Sequence, residues 1–317
     1  MYEGANILVT GGAGFLGSRL VERLAVNAGH VWVVDDLSTG RAEALPSSRN
    51  VTFIKGSVSD GCLLRELLSD VDYVFHFAAR NIVLSVQQPE SDYLVNTHGT
   101  VQLLLNSLAH RGRIRRWVYA STASVYGNSP VMPIKEGTYD VSVPYAASKL
   151  AGELFAVAYG RSFGLPVTCL RFSNVYGPGQ TSSNPYCGVV SKFMQAILDG
   201  EPLTIYGDGT QTRDFTFVDD AIQAALLAGV SERTTGRVLN VGTGIETPVN
   251  TLAQLVMNTT GNPRHPVVHR EKRKVDGIYR RVMDATALRS LTGWQPIHTL
   301  DSGLKITWEW FLNQHRS

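Results

Sequence analysis

The sequence predicts an α/β fold, a doubly wound parallel sheet joined to a smaller second lobe, and three observations lead there. Apolar strand-like runs alternate with helical patterns along most of the chain. The first run passes into a glycine turn that opens a helix, and the second ends on a pair of acids. At 317 residues the chain also exceeds the roughly 250 to 300 residues that one hydrophobic core usually serves, so two lobes are expected.

The opening stretch Asn6-Ile-Leu-Val-Thr-Gly-Gly-Ala-Gly-Phe-Leu-Gly17 is a strand running into Gly11, Gly14 and Gly17, with helical sequence over residues 18–25. Glycine at these places lets the chain turn sharply, lets the backbone approach a pyrophosphate and lets helix pack close to strand, with the anion at the helix N-terminus. The pattern gains its context from the next strand, residues 30–36, which closes on Asp35 and Asp36. A carboxylate at Asp35 would accept hydrogen bonds from an adenosine ribose and repel a 2'-phosphate. The opening therefore reads as a Rossmann-type dinucleotide site that takes NAD in preference to NADP. Asp36 fits a turn or capping role as well as a cofactor contact.

Further strands are expected over residues 51–55, 71–77, 116–121, 167–172 and 238–241. Helices are expected over 93–111, 144–163, 189–199, 218–227, 249–259 and 300–314. This alternation implies a parallel sheet covered on both faces. It stops at Val175-Tyr-Gly-Pro-Gly-Gln-Thr-Ser-Ser-Asn-Pro-Tyr186, so the cofactor lobe is expected to span 1–178 and the substrate lobe 179–317. The run within 236–246 is expected to return to the first sheet, which makes the second lobe discontinuous. There is no internal repeat.

Chemistry concentrates in Tyr145-Ala-Ala-Ser-Lys149, which places a phenol and an ammonium one helical turn apart on the same face. A free phenol titrates near ~10, too high for a base at neutral pH, and a fixed cation beside it favours the phenolate. The pair reads as a proton-transfer device.

Composition narrows the rest. A hydrophobic content of 44% with 18% charged residues describes a globular chain with ample core, and a net charge of +2 gives no argument for nucleic acid or an anionic membrane. Cys62, Cys169 and Cys187 are odd in number and lack paired spacing, which fits neither a disulfide framework nor a zinc site and suits a reducing cytoplasm. The eight histidines are scattered, and His76 at a strand end reads as a packed residue bonded to backbone. Trp308 and Trp310 read as cover for the second lobe, and the basic residues from Arg111 to Arg116 as solvation of a helix C-terminus. The first strand begins within six residues of Met1, leaving no room for a signal peptide, and no apolar run is long enough to span a membrane.

With these motifs in view, the chain resembles the extended short-chain dehydrogenase/reductase family. Within that family it is most similar to the NAD-dependent nucleotide-sugar epimerases and dehydratases of the UDP-glucose 4-epimerase type. The resemblance covers nearly the whole length. It rests on Gly11 to Gly17, His76-Phe-Ala-Ala79, Asn96, Ala120-Ser-Thr-Ala-Ser-Val-Tyr-Gly127, Tyr145 with Lys149, Arg171-Phe-Ser-Asn-Val-Tyr-Gly-Pro178 and Arg213-Asp-Phe-Thr-Phe-Val-Asp219.

The resemblance implies that Tyr145 is the general base toward the sugar 4-hydroxyl, that Lys149 lowers its pKa and holds the nicotinamide ribose, and that Thr122 bonds the same sugar oxygen. It implies cofactor contacts from Gly11, Gly14, Phe15, Leu16 and Gly17, from Asp35, Asp36, Leu37, Ser38 and Gly40, from Ser57 and Val58, and from Phe77, Ala78, Ala79, Asn96 and Phe172. Substrate contacts are implied for Ser124, Asn174, Thr204, Tyr206, Arg213, Arg273 and Asp276, with guanidiniums on the diphosphate. A homodimer formed through the helices at 93–111 and 144–163 is a further implication.

The implied reaction is epimerisation at C4 of a nucleotide-linked hexose through a transient 4-keto sugar, with a nucleotide-sugar 4-ketoreductase, a uronic-acid-specific 4-epimerase and a non-catalytic NAD-binding sensor as alternatives. Related dehydratases carry an Asp-Glu pair after the threonine, and related decarboxylases a Glu at the place of Ser124, whereas this chain has Ala123 and Ser124. Three departures stand out. Ser57 replaces an acid that contacts adenine, a contact expected to weaken or move to Asp60. Val275 replaces a glycine before Asp276. Arg280 or Arg281 falls near the position that governs the bulk of the sugar. An arginine there reads first as a solvated side chain and otherwise as a partner for an acidic substituent on the sugar, and Arg80 raises the same question.

Overall fold

A computed structural model describes residues 1–180, 188–272 and 277–316. Arg273, Asp276, Cys187 and residues 181–186 of the loop expected to separate the lobes lie outside the described residues.

Strands apolar on both faces can be satisfied only by cover on both faces, and the central sheet is built that way. The chain orders as β1 Asn6–Thr10, α1 Phe15–Ala25, β2 His30–Asp35, β3 Val51–Lys55, α2 Gly61–Leu68, β4 Tyr73–His76, α3 Thr100–Leu108, β5 Arg116–Thr122, α4 Pro144–Phe163, β6 Val167–Phe172, α5 Val218–Val230 and β7 Arg237–Val241. Seven strands pair in parallel in the order β7-β6-β5-β4-β1-β2-β3. Ile7 and Val9 enter one core with Leu20, Phe75 and Ile222, while Leu8 enters the other with Val34, Val74 and Trp117. The strand order reverses between β1 and β4, and a cleft opens at the carboxyl ends there.

The expected run at 236–246 does return to the sheet, as β7 pairing Val238 with Cys169 and Val241 with Phe172. Shorter ribbons carry the residues implied for substrate: Asn174–Tyr176 beside Phe215–Phe217, Thr212–Arg213 beside Thr247–Pro248, and Leu203–Tyr206 beside Val267–Arg270.

Two differences from the expected elements bear on the site. Helix α1 begins at Phe15 rather than Ser18, because Gly14 is already its N-terminal cap. The single helix expected over 93–111 is divided into a wider π-helical segment, Tyr93–Gly99, followed by α3. The divided geometry points Asn96 at the loop after β4, where its Oδ1 accepts from the Arg80 N–H at 2.7 Å.

Helix α4 is fixed to the sheet by a buried ion pair. Glu153 and Arg171 meet at 2.6 Å and 2.9 Å through two parallel contacts, with side chains only 2% and 3% exposed. The remaining atoms are satisfied too: Ser121 Oγ donates to Glu153, Arg171 donates to the Tyr126 hydroxyl, and that hydroxyl donates to Asn240 on β7. Removing one buried ion leaves the other uncompensated, so Arg171→Met is expected to cost about 3–5 kcal/mol of unfolding free energy. The double replacement with Glu153→Leu is expected to lose less than Arg171→Met alone. Denaturant midpoints of the three variants check this, and an unchanged midpoint for Arg171→Met would refute it.

Candidate active site

The glycine turn places backbone where a side chain would not fit. Gly11 holds φ +70°, and a Cβ there would lie 2.4 Å from the Ala78 nitrogen. A Cβ on Gly17 would lie 2.1 Å from the Gly11 carbonyl oxygen. Strand β1, helix α1 and the segment after β4 are thereby drawn together around one cleft. Gly11, Gly14, Asp35, Asp36, Ser38, Ser57, Val58, Phe77, Ala78 and Ala79 line it, joined by Arg80 and Val95. Phe15, Leu16 and Gly17 form the first turn of α1 at its rim, a turn with no side-chain cap and no acid, so its N–H groups are available to an anion. Phe172 packs its ring 5.9 Å from that of Phe77.

The two acids at the end of β2 divide their work. Asp35, 8% exposed, accepts from Ala13 N–H at 3.0 Å and Leu37 N–H at 2.8 Å, which pins the glycine loop to the turn after β2. Burial raises its carboxyl above the ordinary range. Gly40 closes the turn, since a Cβ there would lie 2.8 Å from the Ala13 carbonyl carbon. Asp36 accepts from Ser38 N–H and pairs with Arg80 at 2.8 Å. Burial acts to raise its carboxyl, but the hydrogen bonds from Arg80 and Ser38 prevail and lower it. Arg80 thus directs its charge to Asp36 and the Ser38 hydroxyl. Asp60, to which the adenine contact is expected to move, caps α2 by accepting from Cys62 and Leu63 N–H groups on its Oδ1.

Thr122 ends β5, and Tyr145 opens α4 one residue after its first-turn proline. The Thr122 Oγ1 accepts from Ser124 N–H at 3.1 Å, and Ser124 itself is buried. The expected lowering of Tyr145 by Lys149 is not found: burial raises the phenol, a hydrogen bond with Thr122 opposes this, Asp92 adds to it, and the cation that opposes it is Arg281. Lys149 places its Nζ 4.2 Å from the ring centre of Tyr119 on β5, inside the sheet rather than at its edge. Only 1% exposed, it is driven by desolvation down to about 7, against the pull of Asp92.

Asp92 is a site residue that the sequence reading missed. It is 4% exposed and accepts from Ser85 Oγ and Asn96 Nδ2. Asn96 also donates to Ser148 Oγ at 3.2 Å, so Asp92, the loop at Arg80 and helix α4 form one network. His76 bonds to hydroxyls rather than backbone, with Thr10 Oγ1 at 2.6 Å and Thr100 Oγ1 at 2.8 Å. Burial holds its imidazole well below the usual value.

Around the second half of the site, Asn174 Oδ1 is buried without a hydrogen-bond partner, an acceptor poised for a donor from a ligand. Arg213 donates to the Thr212 carbonyl at 2.7 Å and the Ile278 carbonyl at 3.0 Å. Thr204 and Tyr206 lie in two other concavities, Thr204 beside Lys192 and Arg270 and Tyr206 beside Gln211 and Lys272. Arg280 pairs with Glu246 at 2.6 Å. Arg281, expected as a solvated side chain, is 7% exposed and held inside. Among the described residues no His, Cys, Asp and Glu group is arranged to hold a metal, and no helix is long and apolar enough to cross a membrane.

Comparison with known proteins agrees with this geometry. Residues 7–242 match the NAD dependent epimerase/dehydratase family. The chain belongs to that family. A UDP-glucose 4-epimerase of Mycolicibacterium smegmatis is 38% identical over 97% of this chain and 98% of its own. The crystal structure of UDP-glucose 4-epimerase from Thermotoga maritima with UDP-glucose superposes with TM-score 0.92 and 37% identity, covering 98% of this chain and 99% of that one. A UDP-N-acetylglucosamine 4-epimerase from Methanobrevibacter ruminantium, in complex with UDP-N-acetylmuramic acid, also superposes at 0.92 with 34% identity, covering 98% and 99%. As a family member the protein is an NAD-dependent enzyme with a Rossmann-type fold, and the uncapped α1 N-terminus over side-chain-free glycines suits the dinucleotide pyrophosphate.

Arg80 is the cation nearest the acids of the cleft, held there by Asp36. Asp36→Ala releases it toward the adenosine ribose, where an arginine accommodates a 2'-phosphate. The ratio of NAD to NADP affinity is expected to fall by about tenfold, or ~1.4 kcal/mol. Titration of both cofactors checks it, and an unchanged ratio would remove Arg80 from the account.

Proposed function

We propose that this protein epimerises a nucleotide-linked hexose, a UDP-sugar, at C4 through a transient 4-keto sugar. The observation that carries the reading is the set of proton carriers at the end of β5. Thr122 is followed by Ala123 and Ser124, and Ser124 meets the Thr122 oxygen through its backbone, so neither a second acid nor a second base stands beside Tyr145 there. Elimination of water or loss of a carboxylate would call for such a group. Dehydratases and a decarboxylase also occur among the relatives, including a UDP-N-acetyl-alpha-D-glucosaminuronate decarboxylase of Bacillus cytotoxicus at 33% identity, so this difference is the one that discriminates.

Tyr145 takes the proton from the 4-hydroxyl and later returns it, with Thr122 holding the same oxygen. When bound, NAD supplies hydride acceptance and return at the sugar carbon. Gly11, Asp35, Phe77 and Ala78 would hold the dinucleotide, and Lys149 would serve its nicotinamide ribose. Burial raises the Tyr145 phenol, and its hydrogen bond with Thr122 and the charge of Arg281 oppose that rise. Asn174, through its Nδ2, and Arg213 anchor the diphosphate, which leaves the ring free to present either face. Exposed Leu94 on the π-helical segment, Leu105 on α3, and Leu154 and Phe155 on α4 form the surface on which we place homodimerisation.

Tyr145→Phe removes the proton carrier while keeping the ring. Turnover of UDP-sugars is expected to fall by roughly 10²- to 10⁴-fold with NAD binding unchanged, measured by product separation and cofactor titration. A variant that keeps its turnover would sink the reading.

A further inference from the structure

Arg281 is a buried cation that the reaction described above leaves without a task. The segment that carries it is fastened on either side of it. The Tyr279 carbonyl accepts from Thr212 N–H at 2.9 Å, and Met283 packs with Ala123, Val125 and Leu150 against the turn that follows Thr122. Asp214 accepts from Met283 N–H at 3.2 Å. Between these anchors the Arg281 side chain is 93% out of solvent, its 7% exposure leaving a buried Nε with no hydrogen-bond partner. The charged and titratable groups that face it are Arg213 and Tyr145, and among the described residues no carboxylate is paired with it. Burial first, and the like charge of Arg213 second, pull this guanidinium down to about 9. A cation so placed is stabilised only when an anion enters beside it.

We propose that Arg281 binds a carboxylate carried on the sugar ring next to the reacting carbon, so that the preferred substrate is an acidic nucleotide sugar of the uronate type. This rests on the epimerase reading, because Tyr145 marks the place of the C4 oxygen. Arg281 faces both Tyr145 and Arg213, so it stands between the place of the C4 oxygen and the diphosphate anchor, on the side of the ring that carries the C5 substituent. A guanidinium offers a carboxylate two parallel donors, and the neutral hydroxymethyl group of a hexose would leave that fork and its charge unpaired. The arrangement also bears on the intermediate. Once C4 is a ketone, a carboxylate at C6 is a β-keto acid. Loss of carbon dioxide would break the C5–C6 bond and leave its electron pair in an enolate that takes a proton at C5. An ion pair with Arg281 stabilises the carboxylate charge that this loss would remove, which favours return of the hydride to C4.

The test uses the NAD-loaded protein with UDP-glucuronate and UDP-glucose as probes, followed by product separation, on the wild type, Arg281→Leu and Arg281→Lys. Expected is a kcat/KM for UDP-glucuronate at least about tenfold above that for UDP-glucose, a preference that vanishes in Arg281→Leu and returns in part in Arg281→Lys. A wild type indifferent between the probes overturns the proposal. So does an equal loss for both in Arg281→Leu, which would assign the guanidinium to the diphosphate or to Tyr145. Calorimetric binding of both probes to the wild type stands independently of how well the variants fold, and equal affinities again overturn the proposal. If neither probe turns over, the epimerase reading fails, and the ratio of affinities alone decides the carboxylate. A pentose product from UDP-glucuronate likewise overturns epimerisation and leaves the carboxylate contact supported.

Discussion

The site depends on where helix α4 lies against the sheet, and the buried Glu153–Arg171 pair sets that position. Two contacts of 2.6 Å and 2.9 Å allow little sliding or rotation of the helix on β6. The same carboxylate accepts from Ser121, one residue before Thr122, so the strand end that carries the threonine and the helix that carries Tyr145 are referred to one group. Through Tyr126 the network reaches Asn240, whose Nδ2 donates to the carbonyls of Ile134 at 2.9 Å and Asp284 at 3.0 Å. The arm that ends at Asp284 is the one that carries Arg281, so both sides of the reacting centre hang from a single polar cluster. A buried ion pair with all its atoms satisfied gives geometric definition that apolar packing alone supplies less sharply.

Burial outweighs pairwise attraction throughout the reacting centre. Tyr145 is raised, while Lys149 and Arg281 are lowered, and in each case desolvation is the largest cause. The charges nearest them are too few to compensate: Asp92 acts on Tyr145 and Lys149, and the two arginines oppose each other. Such a site is a poor host for isolated charge and a good one for ligands that bring charge of the opposite sign. Asn174, with its orphan acceptor, adds a neutral request of the same kind. In the cofactor cleft burial again raises Asp35, whereas Asp36 is lowered against it, and both acids are already occupied. Asp35 is occupied by two backbone donors and Asp36 by Arg80, which makes that half of the site self-sufficient in hydrogen bonds.

The local chemistry of the chain was legible without coordinates wherever a short stretch carries its own geometry. Glycines at 11, 14 and 17 require a tight turn whatever surrounds them, strand periodicity requires a two-sided sheet, and the four-residue spacing of Tyr145 and Lys149 requires a shared helix face. Those features indicated the fold class and the cofactor in advance, and they singled out Tyr145 and Lys149 as the expected proton-transfer pair. What the spacing could not fix was the direction of each side chain and the dielectric around it. Lys149 lies over Tyr119, a residue thirty positions away, because that ring offers the buried ammonium a π-face. Arg281 is buried because Met283 and Tyr279 are fastened to segments distant in sequence, and nothing in its immediate neighbours announces this. Asp92 entered the site only because a π-helical segment turned Asn96 toward it. By itself, then, the sequence determined the elements and the functional groups they carry. The tertiary structure alone decided which charges meet and which are stripped of water, because desolvation is a property of everything packed around a residue, not of its position in the chain.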